Sequence, residues 1–361
     1  MSEIFDFFSG NYAQARRVFR EAAEGARAAL ESYHNPATGP GGIPLATETA
    51  RLGPREAERL LVVMSGTHGV ESFCGSGLQV GLLKSGLLAE MLPGLACLLI
   101  HAINPSGFAW VRRVTETNID LNRNFVDHRR PHPANPGYEA LREAICPRDW
   151  MHEQPAADAM LAAFAEAHGT MALQTAVSSG QYVDPDGVFY GGLEPTWSNR
   201  TLREILRREG AGARHVAFID LHTGLGPYGV GEIMNNHHAG HPGFERVKGW
   251  FGSEATSDTD GSSSAAPMAG DTSVALDEEL PQATVTGITL EYGTEPLKAT
   301  LDAIRADNWL HIHGRLDTPE GRFIKARIRQ AFYPDKNDWR RLVWERAVEV
   351  TRRMAQGLAQ S

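Results

Sequence analysis

Three residues suited to holding a metal ion stand at the exits of two short apolar runs. The run Arg59 to Ser65 leads into Gly66-Thr67-His68-Gly69-Val70-Glu71, and the run His215 to Leu221 leads into His222-Thr223-Gly224. A histidine and a glutamate three residues apart, in a turn after a buried strand, can converge on one ion. Imidazole nitrogen and carboxylate oxygen suit zinc. Singly, each has a plainer reading: a loop histidine beside an N-capping glutamate, or a histidine satisfied by nearby backbone. Together, His68, Glu71 and His222 make a His₂Glu set with room for a water, the pattern of catalytic rather than structural zinc. Cys74 lies past the start of the next helix and reads as core.

The elements that must position these residues are legible as patterns. Four apolar runs read as buried strands: 59–65, 96–103, 215–221 and 285–291. Helical stretches separate them, which predicts an α/β protein whose mixed, mostly parallel sheet carries helices on both faces. Ligands in such sheets bind beyond the carboxyl ends of the strands, and each polar cluster lies at such an end. An apolar stripe from Tyr12 to Leu30 predicts an N-terminal helix over about 11–33. Residues 78–91 read as helix, and about 339–358 as a C-terminal helix capped by Asp338. The Ser-, Gly- and Asp-rich segment 252–273 reads as a long mobile loop. No repeat or domain boundary appears, so the expectation is one domain over 1–361.

Between the two ligand-bearing strands lie Asn104-Pro105-Ser106-Gly107, the pair Arg112-Arg113, and Asp120-Leu121-Asn122-Arg123-Asn124-Phe125. The ordered set HGVE, NPSG, R, DLNRNF, DLHTG and LEYGT resembles the M14 zinc carboxypeptidase superfamily. That group also contains the succinylglutamate desuccinylase and aspartoacylase deacylases. The resemblance extends over nearly the whole chain and is nearest to the DUF2817 branch. It implies a three-layer α/β/α fold around about eight strands, and one zinc per chain on His68, Glu71 and His222. It further implies that Glu291 is the catalytic carboxylate and that Arg113 polarises the scissile carbonyl, with Arg112 adjacent as the alternative. Asn122 and Arg123 would hold a substrate carboxylate, and Asp120 would orient the first zinc histidine.

The chemistry is coherent on its own terms. Zinc brings a bound water toward neutral pKa, a carboxylate can shuttle its proton, and a guanidinium can stabilise an oxyanion or grip a carboxylate. The HGVE turn is closer to the deacylases, whereas NPSGFAW and DLNRNF are closer to the carboxypeptidases. The expected substrate is therefore a small peptide or an N-acyl amino acid, with carboxypeptidase-like cleavage the leading reading and N-deacylation the alternative. A non-catalytic metal-binding protein is the remaining class, and the filled Glu291 and arginine positions argue against it. His237, His238 and His241 crowd one loop, as polar surface, as pocket lining or as a second metal site. Tyr190 and Tyr292 read as packing, as do Trp339 and Trp344.

Composition narrows the partners. The 361 residues carry a net charge of −9, which argues against nucleic acid or an anionic membrane as the main partner. Three cysteines without paired spacing argue against a disulfide framework. The start MSEIFDFFSG lacks the marks of a signal peptide, and no apolar run is long enough to span a membrane. A cytoplasmic enzyme is the expectation.

Overall fold

The computed structural model describes residues 4–91 and 94–361. Eight strands form one sheet: β1 (Ala29–Thr38), β2 (Pro44–Leu52), β3 (Arg59–Ser65), β4 (Ala96–His101), β5 (His215–Tyr228), β6 (Gly231–Asn235), β7 (Ala255–Thr256) and β8 (Thr284–Gly293). Their order is β1-β2-β4-β3-β5-β8-β6-β7. The four expected strands are its parallel centre, β4-β3-β5-β8, while β2 and β6 flank them antiparallel. These central strands are apolar almost throughout because both faces are covered. Along β3, Leu61 and Val63 join one apolar cluster and Leu60, Val62 and Met64 the other, following the period-2 alternation of a strand.

Helices Tyr12–Gly25, Ser72–Lys84 and Asn337–Ala359 supply the first cluster, and helices Trp197–Glu209 and Val274–Glu279 the second. A third apolar cluster gathers helices Pro136–Ile145, Trp150–His168, Thr170–Ser178, Leu297–Ile312 and Pro319–Phe332 against Val70 and Phe189. It forms a wall beside the loops that leave the strand ends.

Four expectations need correction. The N-terminal helix ends at Gly25 rather than near residue 33. Arg27 turns left-handed (φ 58°) and Ala28 N–H closes back on Ala23 O. Residues from Ala29 then pair with β2, in register from Ala29 opposite Arg51 to Asn35 opposite Leu45, so tertiary pairing overrides the local helical pattern. Residues 78–91 are not one helix: Ser72–Lys84 stops before Gly86 (φ 74°) and Leu87–Met91 follows. Asp338 does not cap the C-terminal helix, whose cap position is Lys336; its carboxylate receives the Tyr228 hydroxyl at 3.3 Å instead. The segment 252–273 is not a free loop. Its strand β7 docks on β6, and Ser264 and Thr256 bond to Glu232.

One buried group sets an acid limit on this fold. His101 on β4 is fully buried, stacked on Phe19 at 4.3 Å with one ring nitrogen 2.8 Å from Ser76 Oγ. Burial, helped by the charge of Arg16, holds its imidazole down at about 3. The unfolded chain would take up that proton near 6.5, so the stability involved is complete above 6.5 and is lost as pH falls toward 3. The slope is about 1.4 kcal/mol per pH unit for this group. Thermal unfolding between pH 6.5 and 4 should show a smaller drop in Tm for His101→Gln than for the wild type; parallel curves would remove His101 as a source.

Candidate active site

The parallel register builds the site from the sheet upward. On neighbouring strands, His222 lies directly opposite Glu291, so both side chains leave the same face. Beside them β3 ends at Ser65, and the turn that follows carries His68 and Glu71. Glu71 occupies the cap position of helix Ser72–Lys84 but makes no capping bond. Its carboxylate turns instead toward the two imidazoles.

His68, Glu71 and His222 converge and are buried. His68 Nδ1 is 2.9 Å from Glu71 Oε1, His222 Nδ1 is 3.0 Å from Glu71 Oε2, and the two Nδ1 atoms are 3.2 Å apart. Ligands about 2.0–2.1 Å from a tetrahedral zinc lie roughly 3.3 Å from one another. Three lone-pair-bearing groups packed at that spacing suit a shared cation, so the donor set fits zinc. Glu71 Oε2 also accepts the Thr223 N–H at 3.1 Å.

Behind each imidazole stands a carboxylate, the arrangement that fixes ring orientation in metal sites. His68 Nε2 lies 3.2 Å from Asp120 Oδ1. His222 Nε2 lies 2.9 Å from Asp220 Oδ2, an ion-pair distance without the alignment of a good hydrogen bond. Asp220 also receives the hydroxyls of Thr67 and Thr272, at 2.9–3.0 Å. Sequence reasoning missed Asp220. The available signal was its place two residues before His222 on a strand, which puts both on one face.

The arginines separate clearly. Arg113 borders the cavity, with Nε 2.9 Å from Asp120 Oδ2 and Nη1 3.4 Å from Glu71 Oε1. Arg112 turns away to Asp307 and Asn118. Val111, just before the pair, holds a left-handed backbone (φ 53°), an unfavourable state for a β-branched residue. Phe189 lies under both Arg113 and Arg123, at 5.2 and 5.6 Å.

Asn122 and Arg123 border the same cavity, but most of their groups are engaged. Asn122 Oδ1 accepts the Thr272 N–H at 3.2 Å. Arg123 is buried and donates to Ser178 O through Nε and Nη2, and to Asn122 O and Met268 Sδ through Nη1. The thioether is the weakest acceptor of that set. Tyr190 and Tyr292 lie outside the cavity as buried packing, and the Trp339 indole donates to Gly293 O in the core.

The charges are strongly perturbed. Burial alone would raise Glu71, but His68 and His222 hold it well below the usual carboxylate range. Asp120 is likewise held low against its burial by Arg113 and His68. Glu291 goes the other way: burial and the negative charge of Glu71 push it up to about 8. Leu225 N–H binds Glu291 Oε1 at 2.9 Å, which leaves Oε2 for proton traffic. Two buried carboxylates driven apart in this manner are the kind of pair that acid–base chemistry uses. The cavity that holds all of these groups measures about 710 Å³, room for a small peptide-sized ligand.

Asp220→Asn keeps the shape but weakens the hold on His222. It should reduce zinc affinity about 10–100-fold in a chelator competition, while Tm of the metal-free protein moves little. Unchanged affinity would make Asp220 a purely structural group.

Comparison of the sequence with curated proteins finds no match. Among solved structures, bovine thrombin-activatable fibrinolysis inhibitor in complex with tick carboxypeptidase inhibitor aligns over 98% of each chain, at 12% identity and a TM-score of 0.50. Carboxypeptidase A from Helicoverpa armigera aligns over 91% of this chain and 75% of its own, at 12% identity and a TM-score of 0.47. The succinylglutamate desuccinylase from Chromobacterium violaceum aligns over 89% and 75%, at 14% identity and a TM-score of 0.38. The first of these supports a carboxypeptidase-like fold. The family model described as protein of unknown function (DUF2817) matches residues 8–346, and the chain belongs to that family.

Proposed function

We propose that this protein is a zinc-dependent hydrolase that cleaves an amide bond near a free carboxylate, in the manner of a carboxypeptidase. The observation that carries the reading is the meeting of His68, Glu71 and His222 with Glu291 and Arg113 in one cavity. One zinc per chain would be held by the first three residues. Bound there, it would acidify a water molecule and polarise a carbonyl oxygen.

The chain's own groups do the rest. Glu291 takes the nucleophile's proton on Oε2 and returns it to the leaving nitrogen. A divalent ion beside Glu71 would cancel the negative field that now raises Glu291 and bring it nearer the range useful to a base. Arg113, braced by Asp120, offers a guanidinium edge to the developing oxyanion. Asn122 and Arg123 read the substrate's carboxylate, with Met268 Sδ the partner that a carboxylate would displace from the guanidinium.

The expected substrates are small peptides, with N-acyl amino acids the alternative. A panel of both, assayed with and without chelator, tests the reading; no chelator-sensitive hydrolysis of either class would sink it. We further propose that the chain acts as one catalytic unit in a reducing compartment such as the cytoplasm. The three cysteines are free, and no helix of the described residues is long and apolar enough to cross a membrane.

Glu291→Gln should retain zinc and lose about 10²–10⁴-fold in kcat, measured on the best substrate of that panel. Near-normal kcat would assign proton transfer to another group. Arg123→Ala should weaken free-carboxylate substrates more than tenfold in kcat/KM relative to their amidated analogues. The paired comparison is needed because the substitution also strips Ser178 O of its donors. An equal loss on both substrates would make Arg123 structural only.

A further inference from the structure

The loop after β6 and the helix Val274–Glu279 together bring up a second cluster of ligand-type groups. His237, His241 and Asp277 each bring a nitrogen or carboxylate oxygen within 4.8 Å of the others, on the wall of the same cavity. Backbone hydrogen bonds decide what this cluster can hold. Gly287 N–H donates to His237 Nε2 at 3.0 Å, and Gly243 N–H donates to His241 Nδ1 at 3.1 Å. In a neutral imidazole, the nitrogen that accepts a hydrogen bond is the one without the proton. His237 therefore carries its proton on Nδ1 and His241 on Nε2. Burial keeps His237 neutral, holding it down at about 4.

A metal ligand must offer a ring lone pair, and both lone pairs are already committed to the backbone. The rings stack with centroids 4.5 Å apart and planes 10° apart. Gly243 lies so close that a Cβ there would come within 2.5 Å of the His237 ring. Such packing holds the rings in place. The cluster thus presents two N–H donors and one carboxylate, which is a recognition surface and not a second metal centre.

The charge balance selects the ligand. Asp277 is exposed on the cavity wall and makes no ion pair or side-chain hydrogen bond among the described residues. Asp258 and Asp271 border the same cavity. With His237 neutral and three carboxylates on this wall, a further carboxylate is repelled. An ammonium is drawn to Asp277, and a carbonyl beside it can accept from an imidazole N–H. Gly287, which fixes His237, precedes Glu291 by four residues on β8, or about 13 Å. That distance is spanned by about four residues of extended peptide.

We infer that His237, His241 and Asp277 bind the free amino end of a short peptide substrate, its ammonium on Asp277 and its first carbonyl on an imidazole N–H. The inference rests on the peptide-hydrolase reading and extends it to substrate length and end group.

The test is calorimetry on zinc-loaded Glu291→Gln protein, with tri- and tetra-alanine carrying free or acetylated amino ends. Free amino ends should bind about five- to tenfold more tightly, and adding Asp277→Asn should abolish the difference. Equal binding of the two forms, or no binding of either, overturns the inference. So does a zinc titration in which the wild type takes up a second equivalent that His237→Ala/His241→Ala does not. Hydrolysis of the same peptides by the wild type is scored separately. A free-end preference in binding without cleavage would support the amino-end site while removing peptide cleavage from the proposed function.

Discussion

The structure turns on a buried carboxylate held between two imidazoles. Glu71 is buried at the cavity wall, and an isolated charge there would be costly. His68 and His222 offset that cost only because each is itself anchored, His68 by Asp120 and His222 by Asp220. Arg113 then compensates Asp120 and touches Glu71. The result is a chain of carboxylates, imidazoles and a guanidinium that links the exits of β3 and β5 to the DLNRNF turn. Such a network is stable only when every member is satisfied.

The segment 252–273 completes this arrangement. Its Thr272 donates its hydroxyl to Asp220 and its N–H to Asn122, Gly270 O receives the Phe125 N–H, and Met268 meets Arg123. Gln174 from the helical wall holds Ser264 O. The segment is therefore a strap across the site that joins the group behind His222 to the residues proposed to bind substrate. The strap thus bonds both to the carboxylate behind His222 and to Asn122 and Arg123, so under the proposed function a change in one bears on the other.

Much of the site was legible because strand ends are short and punctuated. His68, Glu71 and His222 follow apolar runs within six residues and Glu291 ends one, and parallel strands place their exits side by side. The choice between Arg112 and Arg113 was not legible. Adjacent residues have the same local signals, and only Asp307 and Asn118 pulling on one, against Asp120 pulling on the other, separate them. The strand from Ala29 was hidden for a related reason: its apolar residues continue the stripe of the preceding helix past Gly25, and the left-handed residue of the turn is Arg27 rather than the glycine.

By itself the sequence determined the central strands, the ligand types at their exits and the order in which the chain supplies them. These follow from periodicity and from the side-chain chemistry that metal and carboxylate require. Tertiary structure alone decided the edge strands, the partners of Asp220, the anchoring of the 252–273 strap and the backbone hydrogen bonds to His237 and His241. Each depends on a partner far away in the chain: β2 for β1, Thr272 for Asp220, Gly287 for His237. Which atoms such a hydrogen bond joins is not written in the residues near either end of it, because its geometry exists only once the sheet has closed.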